Sequence, residues 1–236
     1  MEDVFIPNYQ NAKGETGESY GFSDSDKNYA DDRDTIRRAL VQKFGSASLT
    51  AGKKAFDIHS VSGSRVDADV VPAWRFRAFQ GRDYQGLPIS RDGIIFWTTD
   101  GKQIINFPEQ HLANGVYKNN ATNGYFKSST RILKHVRYLM LEEEDPTADG
   151  VSSFLLECML SNIDDRLFFS SQTWHGRMQN LLHYLHEALK SGSAEQNWTE
   201  VSGYKWLFKP TYDIDANWTS DQAQAFVLAV YNRVIR

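Results

Sequence analysis

An α+β chain, strand-rich to about residue 120 and helical from 121 to 236, is the fold class that the order of its apolar residues predicts. Three observations carry that expectation. Lys54–Ser60 and Arg65–Phe79 alternate like paired strands, and the apolar runs Ile94–Thr98 and Gln103–Phe107 flank an Asp-Gly turn. Turn signals, Ser62-Gly63-Ser64 and Thr99-Asp100-Gly101-Lys102, join those runs in pairs. Four segments of helical period then follow: Lys127–Glu142, Ser153–Ser161, Arg177–Leu189 and Asp221–Val234.

Taken in order, Met1–Pro7 reads as the exit of a strand, and Asn8–Asp34 as a polar loop rich in Gly, Ser, Asp and Asn. A helix is predicted over Ile36, Ala39, Leu40 and Phe44, with Asp34 as its cap and Gly45 as its stop. Arg65–Phe79 pairs with Lys54–Ser60, and the Asp-Gly of residues 100–101 turns the next hairpin. Pro108-x-x-His111 reads as a turn. In the helical half, Met178, Leu181, Leu182, Leu185 and Leu189 form one apolar stripe, and Ala223, Phe226, Val227, Val230 and Val234 another. Thr219-Ser-Asp-Gln222 is a capping box before the last helix. Trp198, Trp206 and Trp218 read as packing anchors.

Composition bounds the function. The chain has 236 residues, of which 41% are hydrophobic and 13% aromatic, enough for a sizeable core. A formal charge of −4 argues against strong, sequence-blind binding to nucleic acid or to an anionic membrane. Any polyanion site is then a local basic pocket. The single cysteine, Cys158, cannot form an internal disulfide, which fits the reducing cytoplasm. No apolar run approaches the about 18 residues of a membrane span, and no secretory signal precedes the sequons at Asn120, Asn197 and Asn217.

The stretch Arg65–Arg75, RVDADVVPAWR, holds the first candidate site. In an extended strand Asp67 and Asp69 share a face. A carboxylate in an apolar strand is placed at a wet end, paired with a cation, or set to hold a metal, because burying it unpaired is costly. The second candidate is cationic. Lys127, Arg131 and Lys134 recur at i, i+4 and i+7, with His135 and Arg137 beside them. Such a face can grip a triphosphate, or simply be a solvated helix face. Ser152-Ser153-Phe154 opens the next helix, where hydroxyl and backbone N–H groups can receive phosphate and a ring can stack on a base; an ordinary cap followed by a core Phe is the competing reading. His183 and His186 are i, i+3 neighbours without an acidic third ligand nearby in sequence.

The succession of Phe44-Gly45, Asp69-Val-Val-Pro-Ala73, Pro108-x-x-His111, Gly124-Tyr-Phe-Lys127, Arg131-Ile-Leu-Lys134, Ser152-Ser-Phe-Leu-Leu-Glu157, Glu200–Phe208 and Trp218-Thr219 resembles the nucleotidyltransferases of the 2′-5′-oligoadenylate synthetase and cyclic GMP-AMP synthase superfamily, especially the bacterial CD-NTases. The likeness runs from about Thr35 to the C-terminus. It implies a mixed, polymerase β-like sheet, here partial, followed by a C-terminal helical nucleotide-binding lobe. It also implies a cyclic or linear oligonucleotide made from nucleoside triphosphates as a signal in bacterial defence against phage, with Mg²⁺ or Mn²⁺ as cofactor. In that family three carboxylates on adjacent strands hold two metal ions. By resemblance Asp69 is the third of them, a metal ligand and acceptor of the attacking hydroxyl's proton; Asp67 matches no family position and is a metal candidate only through the strand face it shares with Asp69. Lys134, with Arg131, contacts the triphosphate; Ser153 and Phe154 contact phosphate and base.

The pattern is also incomplete. The family's first two acids form an Asp-x-Asp pair after a Gly-Ser turn. Gly45-Ser46 and Gly63-Ser64 are misplaced for that turn, and Asp24-Ser-Asp26 lies in a loop. The expectation is that the chain starts just past the missing pair, binds nucleotide weakly, turns it over poorly, and exposes sheet edges that favour self-association. A non-catalytic module binding nucleotide or a regulatory protein partner is the alternative, and a metal-dependent phosphodiesterase or nuclease built on Asp67 and Asp69 ranks third. An in-frame Gly-Ser turn and Asp-x-Asp encoded upstream of Met1 separates the first two.

Overall fold

The computed structural model describes residues 5–23, 25–212 and 218–234, so Asp24, Asn217 and the first residues of the N-terminal strand reading lie outside it. The chain divides into two compact units, 1–107 and 108–236. That division precedes the expected one near residue 120 because Pro108 opens a helix where a turn was predicted.

The first unit holds two sheets. Strands β1 (Phe5–Asn8), β2 (Leu49–Ala51), β3 (Phe56–Ile58), β4 (Ala68–Val70), β5 (Trp74–Arg82), β6 (Pro88–Trp97) and β7 (Gln103–Asn106) are joined by one long helix, α1 (Tyr29–Phe44). The larger sheet has the order β1-β5-β6-β7, with β1 parallel to β5 and the remaining pairs antiparallel. The smaller has the order β2-β3-β4, all antiparallel. The segment Arg65–Phe79 is therefore not one strand: Val71-Pro72-Ala73 ends β4, and β5 joins the other sheet. Pro has no N–H to give a ladder, which accounts for the break.

Across β5 and β6, Arg77 faces Asp92 in register and forms a two-pronged ion pair, Nε–Oδ1 at 2.6 Å and Nη2–Oδ2 at 2.8 Å. Arg75 adds a third contact at 3.1 Å. These guanidinium bonds hold the Asp92 carboxyl below its usual value against the burial that would raise it. Helix α1 begins earlier than predicted. Asn28, not Asp34, is its cap, accepting from the Ala30 N–H at 2.9 Å, while Asp34 pairs with Arg37 and Arg38. Gly45 ends it at φ +83°, as read from sequence. Since none of its side chains is fully buried, polar and aromatic hooks hold it instead. Tyr29 donates to the Pro72 carbonyl at 2.9 Å, the Trp74 indole donates to Asp32 at 2.9 Å, and Arg33 lies 4.5 Å over the Phe56 ring.

The second unit is helical: α2 (Pro108–Ala121), α3 (Tyr125–Glu142), α4 (Ser153–Ser161), α5 (Trp174–Lys190), α6 (Ser193–Asn197) and α7 (Ser220–Val234). Its core packs Leu133 and Met140 of α3, five of the nine residues of α4, and the predicted stripes of α5 and α7, with only Val234 left exposed from those stripes. One half of the capping box forms, Thr219 Oγ1 accepting from the Gln222 N–H at 3.2 Å, while the Gln222 side-chain amide donates to the Asp149 carbonyl at 2.7 Å. Residues 198–208 are pinned by Asn114, which donates to the carbonyls of Val201 and Ser202, and by Asn162, which donates to Thr199. Trp198 is buried there as anticipated, but Trp206 is exposed, its ring covered by the Lys209 ammonium at 4.0 Å. No described helix is long and apolar enough to cross a membrane.

Gly93 in β6 meets the Asn106 carbonyl so closely that a Cβ would lie 2.6 Å from that oxygen and 2.9 Å from the Phe107 ring. Gly93→Ala is expected to lower stability by about 1–3 kcal/mol, read as a fall in the urea midpoint with the slope unchanged.

Candidate functional site

In the first unit the candidate acids lie on a hairpin symmetric about Gly63, which adopts φ +73°. Val61 faces Arg65, Ile58 faces Ala68, Asp57 faces Asp69, and Phe56 faces Val70. Phe56 and Ile58 turn into the core, so Asp57 and Asp69 share the opposite face as direct cross-strand neighbours. Asp57 was missed by sequence reasoning. Folding the hairpin symmetrically about its Gly-Ser turn would have found it.

Asp67 is elsewhere. It precedes β4, and its Oδ1 accepts from the Ser60 N–H at 2.7 Å, closing the hairpin loop. The burial argument that singled out both acids does not hold, since Val66, Asp67 and Asp69 are all exposed. What survives is a pair of carboxylates, Asp57 and Asp69, on an accessible face. Oxygen donors of this kind suit Mg²⁺, which is commonly held by one or two carboxylates plus substrate phosphates. Among the described residues no group of three or more His, Cys, Asp or Glu side chains is placed to hold a metal ion, the His183/His186 neighbourhood included.

In the second unit, α2, α3 and α4 enclose a cleft of about 260 Å³. The corner between α2 and α3 is built by the last turn of α2 and the residue after it: Asn119 Oδ1 accepts from the Lys127 N–H at 3.2 Å, and Thr122 Oγ1 from the Phe126 N–H at 3.1 Å. That corner aims the basic stripe, and Lys127, Arg131 and Lys134 all line the cleft opposite Leu112 and Val116. Lys127 and Arg131 are exposed, whereas Lys134 is half-buried and pairs with Glu157 of α4, Nζ–Oε2 at 3.3 Å. The other Glu157 oxygen lies 3.7 Å from His111 Nε2. His111 and then Lys134 hold the Glu157 carboxyl below its usual value, against a burial that would raise it. His135 is exposed, and Arg137 is committed to the Val151 carbonyl.

Ser153 and Phe154 do not line this cleft. Ser152 is the cap of α4, accepting from the Leu155 N–H at 3.0 Å, and Ser153 is the first helical residue. Phe154 is stacked within the protein, its centroid 5.1 Å from the His111 ring and 5.7 Å from that of Trp218. Sequence reasoning placed His111 in a turn and gave Glu157 no role; His111 reaches the Glu157 carboxylate because α2 is a helix, and Glu157 reaches Lys134 from α4. Cys158, adjacent to Glu157, is fully buried, and burial pushes its thiol well above the usual value, which disfavours the thiolate.

Strand-borne carboxylates and a cationic helical cleft are the parts that phosphoryl-transfer proteins use, and comparison with known proteins agrees. Residues 113–234 match the model of the cGAS/DncV-like nucleotidyltransferase C-terminal helical domain. The cyclic dipyrimidine nucleotide synthase CdnE of Cecembia lonarensis is 32% identical over 224 residues, 94% of this chain and 72% of that protein. The solved structure of Elizabethkingia meningoseptica CdnE cyclic dinucleotide synthase with GTP and Apcpp superposes with a TM-score of 0.73 at 29% identity, over 88% of this chain and 71% of that one. The Rhodothermus marinus CdnE c-UMP-AMP synthase shares the fold, with a TM-score of 0.77 at 24% identity over 98% of this chain and 73% of that one. The chain belongs to the CD-NTase family of nucleotidyltransferases.

Because the Glu157 carboxyl is lowered on folding, its contribution to stability is complete above its unfolded value and fades as pH falls through the folded one. Thermal melts of the wild type between about pH 6 and pH 3 should therefore show a steeper loss of melting temperature than those of Glu157→Gln.

Proposed function

We propose that this chain takes part in joining nucleoside triphosphates into a cyclic oligonucleotide, with its helical unit receiving the triphosphate. The observation that carries the reading is the convergence of Lys127, Arg131 and Lys134 on one cleft, since three cationic donors in a concave site are what a polyphosphate requires. Family membership supplies the reaction class, and the names of the relatives, synthases of cyclic dinucleotides, support the cyclic product. The family resemblance supports a role for that product as a signal in defence against phage.

Asp69, with Asp57 opposite it, has the oxygen donors to hold Mg²⁺, which when bound would supply Lewis-acid stabilisation of charge developing on phosphate oxygens. Asp69 is exposed, so a carboxylate oxygen is accessible to take the proton from an attacking ribose hydroxyl. Lys134 and Arg131 contribute binding that is felt equally in the ground and transition states.

The protein, expressed from its native reading frame, is to be incubated with each labelled nucleoside triphosphate and Mg²⁺, and the products resolved by chromatography and mass spectrometry. Cyclic product that disappears in Asp69→Asn, with the melting temperature within a degree or two, is the expected result; undiminished product in that variant rules out the role given to Asp69. Arg131→Ala and Lys134→Ala should each raise the apparent KM about tenfold while preserving kcat. An unaltered KM in both returns the stripe to a solvated helix face.

A further inference from the structure

Building on the nucleotide reading of the helical cleft, we propose that Glu157 is an internal competitor for the incoming phosphate, an acid placed to limit how tightly a polyphosphate is held. Glu157 is the one acidic residue lining the cleft among the described residues. Its Oε2 occupies the Lys134 ammonium at 3.3 Å, the same donor that a phosphate oxygen would take. Lys127 and Arg131, by contrast, carry no side-chain partner among the described residues and are exposed. The cleft therefore offers two open cations and one already neutralised.

The carboxylate has little freedom to withdraw. It projects from α4, whose Leu155, Leu156, Cys158, Met159 and Leu160 are fully buried, and its second oxygen is met by His111 Nε2 at 3.7 Å. The His111 ring is in turn stacked on Phe154. A polyphosphate that reaches Lys134 must share it with a fixed negative charge a few ångströms away, and like charges at that range in a partly enclosed site repel. Phosphate is then held less tightly than three unpaired cations would hold it. For an enzyme of this class that favours departure of pyrophosphate, since binding the ground state too well does not raise turnover.

The test uses inorganic tripolyphosphate as probe, with the dissociation constant measured by calorimetry on the whole chain. Glu157→Gln keeps the shape and removes the charge, and is expected to bind about tenfold more tightly than wild type. Adding Lys134→Ala to that variant should return the affinity to about the wild-type value, since the pair is then removed together. Equal or weaker binding by Glu157→Gln overturns the proposal, as does a double variant that stays as tight as Glu157→Gln. Should Glu157→Gln fail to fold, the double variant decides alone, because removing both members leaves no unpaired charge: wild-type affinity supports competition, and a loss of tenfold or more shows that the pair serves to place Lys134 and refutes it. A wild-type chain that binds no tripolyphosphate refutes the nucleotide reading of the cleft and the proposal with it, whereas unchanged affinity in a binding-competent Glu157→Gln refutes the proposal alone.

Discussion

The packing of α4 into the core is the constraint on which the organisation of the helical unit turns, and it sets Glu157 against the half-buried Lys134 ammonium, which needs a counter-charge. Glu157 is carried by α4, a helix so apolar that five of its nine residues are fully buried. Packing leaves that helix one rotational setting, and the setting points its only acid at α3 and α2. From this follow the position of Lys134, the approach of His111, and the stack that runs from His111 through Phe154 to Trp218. The cleft is thus a by-product of how the core of the unit is filled. Its chemistry, two open cations beside a compensated one, is what remains once the pair has formed.

The strand-rich unit depends on a different constraint. A hairpin with Gly63 at its centre has a single register, and that register sets Asp57 against Asp69. Two carboxylates directly opposite one another repel, which costs stability unless a cation intervenes. Asp67 does work of another kind, closing the loop through the Ser60 N–H. The neighbouring sheet is held in register by the Arg77–Asp92 pair, and α1 by hydroxyl, indole and guanidinium contacts where an apolar stripe is lacking. The unit thus adds polar ties to a core of Phe56, Phe76, Phe79, Ile95, Ile105 and Phe107.

Much of this was legible in the linear sequence. Long periodic segments, α3, α4, α5 and α7, stand within a few residues of where their apolar spacing put them, because a helix that buries one face must repeat its apolar residues near every 3.6. The β6–β7 hairpin announced itself through Asp100-Gly101. The basic stripe was visible as well, since spacing on a single helix is enough to place three side chains on one face. Helix α2 was not, because Leu112 and Val116, its apolar residues, lie on an exposed face and give no core-facing pattern. The start of α1 was misjudged for a similar reason: Asn28 caps a first turn rich in acids and devoid of buried residues.

What the amino-acid order determined by itself is local: which segments are helices or strands, which residues share a face, and that a basic stripe and an acidic hairpin exist. The tertiary structure alone decided which of those residues meet. Glu157 reaches Lys134 across 23 positions in sequence, and His111 reaches Glu157 from a third helix. Asp57 meets Asp69 only through strand register, and Phe154 is turned into a ring stack away from the cleft lining. The reason is physical: periodicity reports the environment of each residue separately, whereas the pairing of a charge, a ring or a carboxylate depends on packing between elements that no local pattern encodes.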